Sequence, residues 1–249
     1  MAIILKTPAE IALMRQAGRI VAQTLNMLSN HIRPGVTTGY LDTLAEEFIR
    51  KHDAKPSFKG YRGFPKSICT AINDQVVHGI PDSRILEDGD IVTIDVGAQY
   101  RGLHGDAAKS FPVGKVSPTA AHLLAVCAHA LDVGIAQVQP GAHLSDIGAA
   151  IQPLVENAGF SVVRQYCGHG LGRSLHEDPQ IFHYGQPGHG PLLRKGMTFT
   201  IEPMINEGKP DTRVLDDGWT VVTADGSLSA QYEHSIVVTD AGCTILTAP

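Results

Sequence analysis

Behind Thr7-Pro8, a capping threonine followed by a proline that suits a first helical turn, Ile11, Met14, Gly18, Val21, Leu25 and Leu28 recur at helical spacing. The spacing predicts an amphipathic helix that ends at His31-Ile32-Arg33-Pro34-Gly35. A second helix should run from Thr38 through Leu41, Leu44, Ala45, Phe48 and Ile49. An apolar-periodic segment from Pro118 to Val138 predicts a third. After Val138-Gln139-Pro140-Gly141, the set Leu144, Ile147, Ile151 and Leu154 predicts a fourth. Between these pairs the period changes. Ile91 to Val96 is a β-branched run bounded by Asp88-Gly89 and Gly97, and Tyr100-Arg101-Gly102 is a turn signal, so a hairpin is expected there. A further β-rich run, Ser229 to Thr239, follows the turn signal Asp225-Gly226-Ser227 and can pair with the strand that leads to Glu202.

The same order of signals returns later in the chain. Pro34-Gly35 recurs as Pro140-Gly141, and Gly89-Asp90-Ile91-Val92-Thr93-Ile94-Asp95 recurs as Gly196-Met197-Thr198-Phe199-Thr200-Ile201-Glu202. A spacing held across two helices and a strand reads as an internal duplication. Neither copy can bury its apolar face alone. Residues 10–110 and 117–245 are therefore expected to pack as halves of one pseudo-symmetric α+β domain spanning 1–249, with a curved antiparallel sheet and helices on its outer face.

Asp95 and Asp106 interrupt the hairpin where valines would be ordinary. In an antiparallel pair, opposed residues have position numbers of constant sum. A turn centred between Tyr100 and Arg101 makes the two aspartates face each other, and one centred a residue later leaves them diagonal neighbours on one face. Either way two carboxylates converge, and like charges on an apolar face destabilise each other unless a proton or a cation lies between them. The repeat adds Glu202 at the counterpart of Asp95, and the β-rich run adds Glu233.

Composition places limits on this picture. The 249 residues are 43% hydrophobic and 18% charged, with a formal charge of −5, which excludes a general attraction to nucleic acid. A local basic cluster of Arg50, Lys51, Lys55, Lys59, Arg62 and Lys66 reads as a solvated face, with a phosphate-binding patch such as ribosomal RNA would need as the alternative. Cys69, Cys127, Cys167 and Cys243 lie far apart without a C-x-x-C pair and are expected to be reduced thiols. The N-terminus lacks the pattern of a signal peptide, and no 18 apolar residues run together. A cytoplasmic, soluble, monomeric protein that meets no membrane is expected.

Histidine supplies a nitrogen donor. Tyr166 to Gly172 reads YCGHGLG, whose glycines disfavour a helix and let backbone crowd close to whatever His169 binds. His176-Glu177 fails as a zinc-protease helix because Pro179 intervenes and Gln180 stands where the second histidine belongs. Asp95, Asp106, His169, Glu202 and Glu233 form a hard, oxygen-rich set. Such a set can neutralise two divalent ions and suits manganese, iron(II), cobalt or zinc at a hydrolytic centre better than a structural zinc. Two bridged ions would make hydroxide available near neutral pH and polarise a carbonyl, so amide hydrolysis is the reaction the set fits.

Segments 73–81 (NDQVVHGIP), 89–111, 166–179, 196–206 and 217–239 resemble, in order and spacing, those of bacterial type I methionine aminopeptidases. The resemblance covers nearly the whole chain. It implies a duplicated pita-bread fold, two divalent metal ions, and removal of the initiator methionine from nascent polypeptides with a small second residue, with the ribosome as a further partner. It also implies that Asp95 holds one ion, that His169 and Glu202 complete the other, and that Asp106 and Glu233 bridge both. By the same resemblance His78 lies beside the scissile amide, His176 contacts the substrate carbonyl, and Glu202 serves as general base. The methionine side chain is then expected among Phe58, Tyr61, Phe64, Cys69 and Trp219. Four positions depart from the best-known pattern: Phe58 replaces a cysteine, Arg62 a histidine, Phe64 a tyrosine and Leu175 a phenylalanine. His104, His122, His129, His183 and His189 read as ordinary histidines without chemistry. Two rivals remain, an Xaa-Pro-specific peptidase of the same fold, which usually carries an added N-terminal domain, and a non-catalytic protein- or RNA-binding relative, which would lack metal ligands.

Overall fold

The computed structural model describes residues 3–248; the Met1-Ala2 pair and Pro249 lie outside the described residues. Helices form where apolar spacing predicts them: α1 (Pro8–Ser29), α2 (Thr38–Lys51), α3 (Pro118–Ala136) and α4 (Asp146–Asn157). Thr7 and Glu10 cap α1 reciprocally, the Thr7 N–H donating to Glu10 Oε2 at 2.9 Å and the Glu10 N–H to Thr7 Oγ1 at 3.3 Å. Two amides that a helix start leaves free are thereby satisfied. The fourth helix begins later than its spacing implies. Leu144 lies ahead of it, because the Leu144 N–H bonds the Pro191 carbonyl at 3.0 Å and Asp146 accepts the His143 and Gly188 amides.

Five strands precede α3: β1 (Lys55–Pro56), β2 (Cys69–Ile72), β3 (Gln75–Val77), β4 (Ile91–Tyr100) and β5 (Leu103–Pro112). After α4 come β6 (Ser161–Val162), β7 (Gly168–Gly170), β8 (Glu177–Ile181), β9 (Thr198–Ile201) and β10 (Met204–Asn206). The chain closes with β11 (Thr212–Val214), β12 (Val221–Thr223), β13 (Ser229–Gln231), β14 (His234–Thr239) and β15 (Gly242–Ile245). Pairing is antiparallel throughout, but hydrogen bonds divide the expected curved sheet into four. β1, β4, β2 and β5 form one, β13-β10-β6 a second, β11-β12-β3 a third and β15-β14-β9-β7-β8 the fourth. Many strands have only two or three residues, and register shifts at His169/Gly170 within the β7-β8 pair and at Val221/Val222 within the β12-β3 pair distort the ladders inside their own sheets.

Alternation along β4 sorts the two faces. Val92, Ile94 and Val96 pack against Ile20, Val21 and Leu28 of α1 and Leu41 and Ile49 of α2, which leaves Thr93, Asp95 and Gly97 on the opposite side. A second core joins Leu123, Cys127 and Leu131 of α3 and Ile147 and Ile151 of α4 to Phe199 and Ile201 of β9. By length and composition α3 could cross a bilayer, yet Leu123, Leu124, Cys127, Ala130 and Leu131 are buried in this core. The helix α1 lies almost directly on β5. A Cβ added to Gly105 would stand 2.6 Å from the Gly18 nitrogen and 2.9 Å from the Ala17 carbonyl carbon.

Backbone cannot retreat as a side chain can, so Gly105→Ala must lift α1 off the hairpin. The expected destabilisation is about 1–3 kcal/mol. Calorimetry should show Tm falling by about 2–4 °C for each kcal/mol, and an unchanged Tm would contradict the contact.

Candidate metal centre and pocket

The hairpin turn carries positive φ at Arg101 (47°) and Gly102 (84°), which sets the register Gly97↔Asp106 and Asp95↔Ala108. The later of the two turn positions is therefore the one adopted, and the aspartates are diagonal neighbours. Gly97, opposite Asp106, leaves room for a ring. A Cβ there would lie 2.7 Å from Phe58 Cε1, so only glycine admits Phe58 beside the carboxylates. The other donors arrive from the second half. His169 sits in the middle of β7, its N–H on Thr200 Oγ1 at 3.0 Å and its Nδ1 against the Gly170 carbonyl at 2.9 Å. A carbonyl only accepts, so Nδ1 carries the proton and Nε2 is left bare. That Nε2 faces Glu202 Oε1 at 3.7 Å and Asp106 Oδ2 at 3.9 Å.

Glu202 follows β9 directly. Its carboxylate accepts from Thr200 Oγ1 at 2.7 Å and Gln231 Nε2 at 3.2 Å, and its N–H donates to His183 Nε2 at 3.0 Å. Glu233, between β13 and β14, is placed by its N–H on the Ala108 carbonyl at 2.8 Å. Ser235 clasps Asp106 from β14, its Oγ accepting the Asp106 N–H at 3.0 Å and donating to the Asp106 carbonyl at 2.7 Å. Ligand atoms of Asp106, His169 and Glu233 all lie within 4.8 Å of one another.

Electrostatics leave this set unbalanced. Burial raises Asp95, and burial with the charges of Asp95 and Glu202 raises Asp106 well above the carboxylate range. Burial also raises Glu202, and Glu233 is pushed up by burial and then by Asp106, Glu202 and Asp95. Asp95 Oδ1, Asp106 Oδ1 and Glu233 Oε1 are buried without a hydrogen-bond partner. Orphaned oxygens beside a bare imidazole nitrogen fit divalent cations, which would replace the missing bonds and cancel the repulsion.

A cavity of about 360 Å³ opens onto the set. All twelve residues singled out in the sequence line it: Asp95, Asp106, His169, Glu202, Glu233, His78, His176, Phe58, Tyr61, Phe64, Cys69 and Trp219. Phe58, Phe64, Cys69 and Leu175 are buried together, with Trp219 edge-on to Phe64 at 5.1 Å. His78, at φ 60°, stands edge-on to Tyr166 and Trp219, and burial lowers its pKa to about 4. The His176 ring lies 4.0 Å from that of His169 and stacks on Tyr61 at 5.2 Å, with Nδ1 2.9 Å from Tyr61 Oη. A larger depression of about 850 Å³, beside α3 and α4, is lined by no histidine or cysteine.

Four supporting residues escaped the sequence reading. Thr200 and Gln231 each stand two positions before a glutamate of the set, a period-two signal that could have marked them. Ser235 and His183 gave no such sign. His183 is buried and neutral, with its pKa lowered to about 3 by burial, and its Nε2 accepts the Glu202 N–H, a structural contact rather than chemistry. The basic cluster is partly cancelled, since Arg50 and Lys59 both bond Glu46, at 2.8 and 2.6 Å.

The family model described as metallopeptidase family M24 matches residues 12–240. A relative named methionine aminopeptidase 1, from Bacillus subtilis, is 54% identical over 98% of this chain and 99% of its own length. The crystal structure of methionine aminopeptidase from Rickettsia prowazekii superposes with a TM-score of 0.98 at 48% identity, over 99% of this chain and all of that one. A prolidase from Pyrococcus furiosus shares the fold alone, at 22% identity and a TM-score of 0.81, with the match covering 99% of this chain and 66% of the prolidase. The mixed helices and antiparallel sheets are the pita-bread fold of these neighbours. By model, sequence and architecture together, the chain belongs to metallopeptidase family M24.

Proposed function

We propose that the protein is a metal-dependent methionine aminopeptidase that removes the N-terminal methionine from new polypeptides with a small second residue. One observation carries this reading: an apolar part of the cavity, lined by Phe58, Phe64, Cys69, Leu175 and Trp219, adjoins a cluster of four carboxylates and His169. An unbranched thioether packs well against ring edges, and the reacting amide then falls beside the polar cluster. Asp95 would hold one ion, His169 and Glu202 the other, and Asp106 and Glu233 both. Bound cations of cobalt, manganese, iron(II) or zinc supply Lewis acidity that acidifies water and polarises the scissile carbonyl.

The chain's own groups do the rest. His176 is neutral, its pKa lowered to about 3 by burial and by neighbouring positive charge. In the tautomer whose Nδ1 accepts the Tyr61 hydroxyl, Nε2–H is free to donate to the carbonyl oxygen. Neutral His78, which lines the same cavity, would stand beside the amide. Glu202, fixed by Thr200 and Gln231 and made more basic by burial, takes the proton of the attacking water and returns it to the leaving amine. The proposal extends to one duplicated domain, with halves at 10–110 and 117–245. Each half runs two helices and then a strand that presents Asp95 or Glu202, which supports that reading. It also places a monomer in the cytoplasm, where chains leave the ribosome; four free thiols accord with this.

Metal-reconstituted protein should release methionine from Met-Ala and Met-Gly peptides. Cleavage of Xaa-Pro peptides alone would sink the assignment. Asp106→Ala removes a carboxylate that would serve both ions, so turnover should fall by more than about a hundredfold and calorimetric titration should lose one binding event.

A third test concerns pH. The buried histidines have lowered pKa values, so their contribution to stability grows as pH rises to their unfolded value, about 6.5, and then stops. The carboxylates have raised values, so the folded state retains protons that the unfolded chain has lost, and stability falls as pH rises. Above pH of about 6.5 only the second effect remains. Metal-free protein should therefore melt at progressively lower temperature from neutral to alkaline pH, and divalent ions should remove that slope in scanning fluorimetry.

A further inference from the structure

We propose that Arg62 makes the enzyme discriminate among Met-small N-termini by charge, favouring substrates with an acidic side chain at the third residue over those with a basic one. The inference rests on the aminopeptidase reading above. Arg62 lines the cavity but is exposed, at its mouth. It sits in a short 3-10 turn, Tyr61–Gly63, at φ 50° and ψ 25°, a conformation that favours glycine, between Gly60 at φ 85° and Gly63 at φ 90°. A long, branched cation kept in such a place is a strained choice, and strain of this kind gathers at functional sites.

The guanidinium is directed by what it touches. Its Cζ lies 5.3 Å from the centre of the Tyr61 ring, and that ring stacks on His176. Arg50 and Lys59 both bond Glu46, whereas the guanidinium of Arg62 has the ring of Tyr61 for its contact. The acids that line the cavity are Asp95, Asp106, Glu202 and Glu233, all in the metal cluster at its inner end. Two divalent ions would cancel four carboxylates, leaving Arg62 as the charged side chain of a lining that Gln165 and Gln180 continue.

With methionine in the apolar end, the rest of the substrate must leave past this rim. In an extended chain the third residue lies about 7 Å beyond the first, within reach of an arginine side chain at the mouth. A carboxylate there gains a charge-assisted contact, and a lysine meets repulsion and loses binding.

Three C-terminally amidated peptides separate the possibilities without a terminal carboxylate: Met-Ala-Asp-Ala, Met-Ala-Asn-Ala and Met-Ala-Lys-Ala. The expected kcat/KM order is Asp above Asn above Lys, each step about two- to fivefold, as for an exposed ion pair, with the spread shrinking as salt rises. Analogues with an uncleavable reduced Met-Ala bond should show the same order in Kd. Arg62→Lys should keep the order, Arg62→Gln should flatten it and Arg62→Glu should reverse it. A merely structural role predicts no reversal. Equal rates on all three peptides would overturn the Arg62 assignment while leaving the aminopeptidase reading intact; no methionine release from any would overturn both. Should the variants fail to fold, the wild-type order and its salt dependence decide alone.

Discussion

Four carboxylates inside one protein repel one another, and the rest of the fold is built to hold them there. Asp95, Asp106, Glu202 and Glu233 come from different strands or strand ends, so their convergence depends on how the sheets meet. Backbone bonds between the halves fix that meeting: Ser235 grips Asp106 at both its amide and carbonyl, and the Glu233 amide bonds Ala108. Burial raises every member of the set, so in the metal-free chain protons occupy part of the role that cations would take. The site is thus stable against its own charge only when something positive is shared among its oxygens.

Two-fold alternation along the strands makes this possible without sacrificing the core. On β4, Val92, Ile94 and Val96 face the helices, while Asp95 and Gly97 face the cavity. The helices can then approach closely on one side, to the point that α1 rests on Gly105, while the other side is kept for chemistry. Gly97 serves the second task, because Phe58 reaches the carboxylates only where no side chain stands opposite Asp106. Packing and chemistry are therefore coupled through single glycines.

Charge is also sorted by depth. The acids lie at the inner end of the cavity, the histidines that line it are held neutral by desolvation and by neighbouring positive charge, and the single arginine of the lining stands at the rim. Neutral imidazoles donate or accept hydrogen bonds without adding to a charge balance that divalent ions must close. This arrangement separates the reacting centre, where net charge is cancelled, from the mouth, where Arg62 can read the departing chain.

Much of this was legible in the residues themselves. The helices followed from apolar spacing and capping pairs, since local periodicity and N-cap chemistry need no partners. The match of Gly89–Asp95 to Gly196–Glu202 drew attention to Glu202, and the aspartates stood out against a β-branched run. Other features depended on contacts distant in sequence. Leu144 was lost from α4 to a bond with the loop at Pro191, while the hairpin register, open between two values, was settled locally by positive φ at Arg101 and Gly102. The register shift at Val221/Val222, where β12 pairs with β3, and the bond of His183 to the Glu202 amide arise between segments that are apart in sequence. The sequence by itself determined which atoms could bind a cation and which periods could form helices and strands, because both depend on residue type and neighbours. Only the tertiary structure decided which oxygens were left without partners, because hydrogen-bond satisfaction is a property of the whole packed interior.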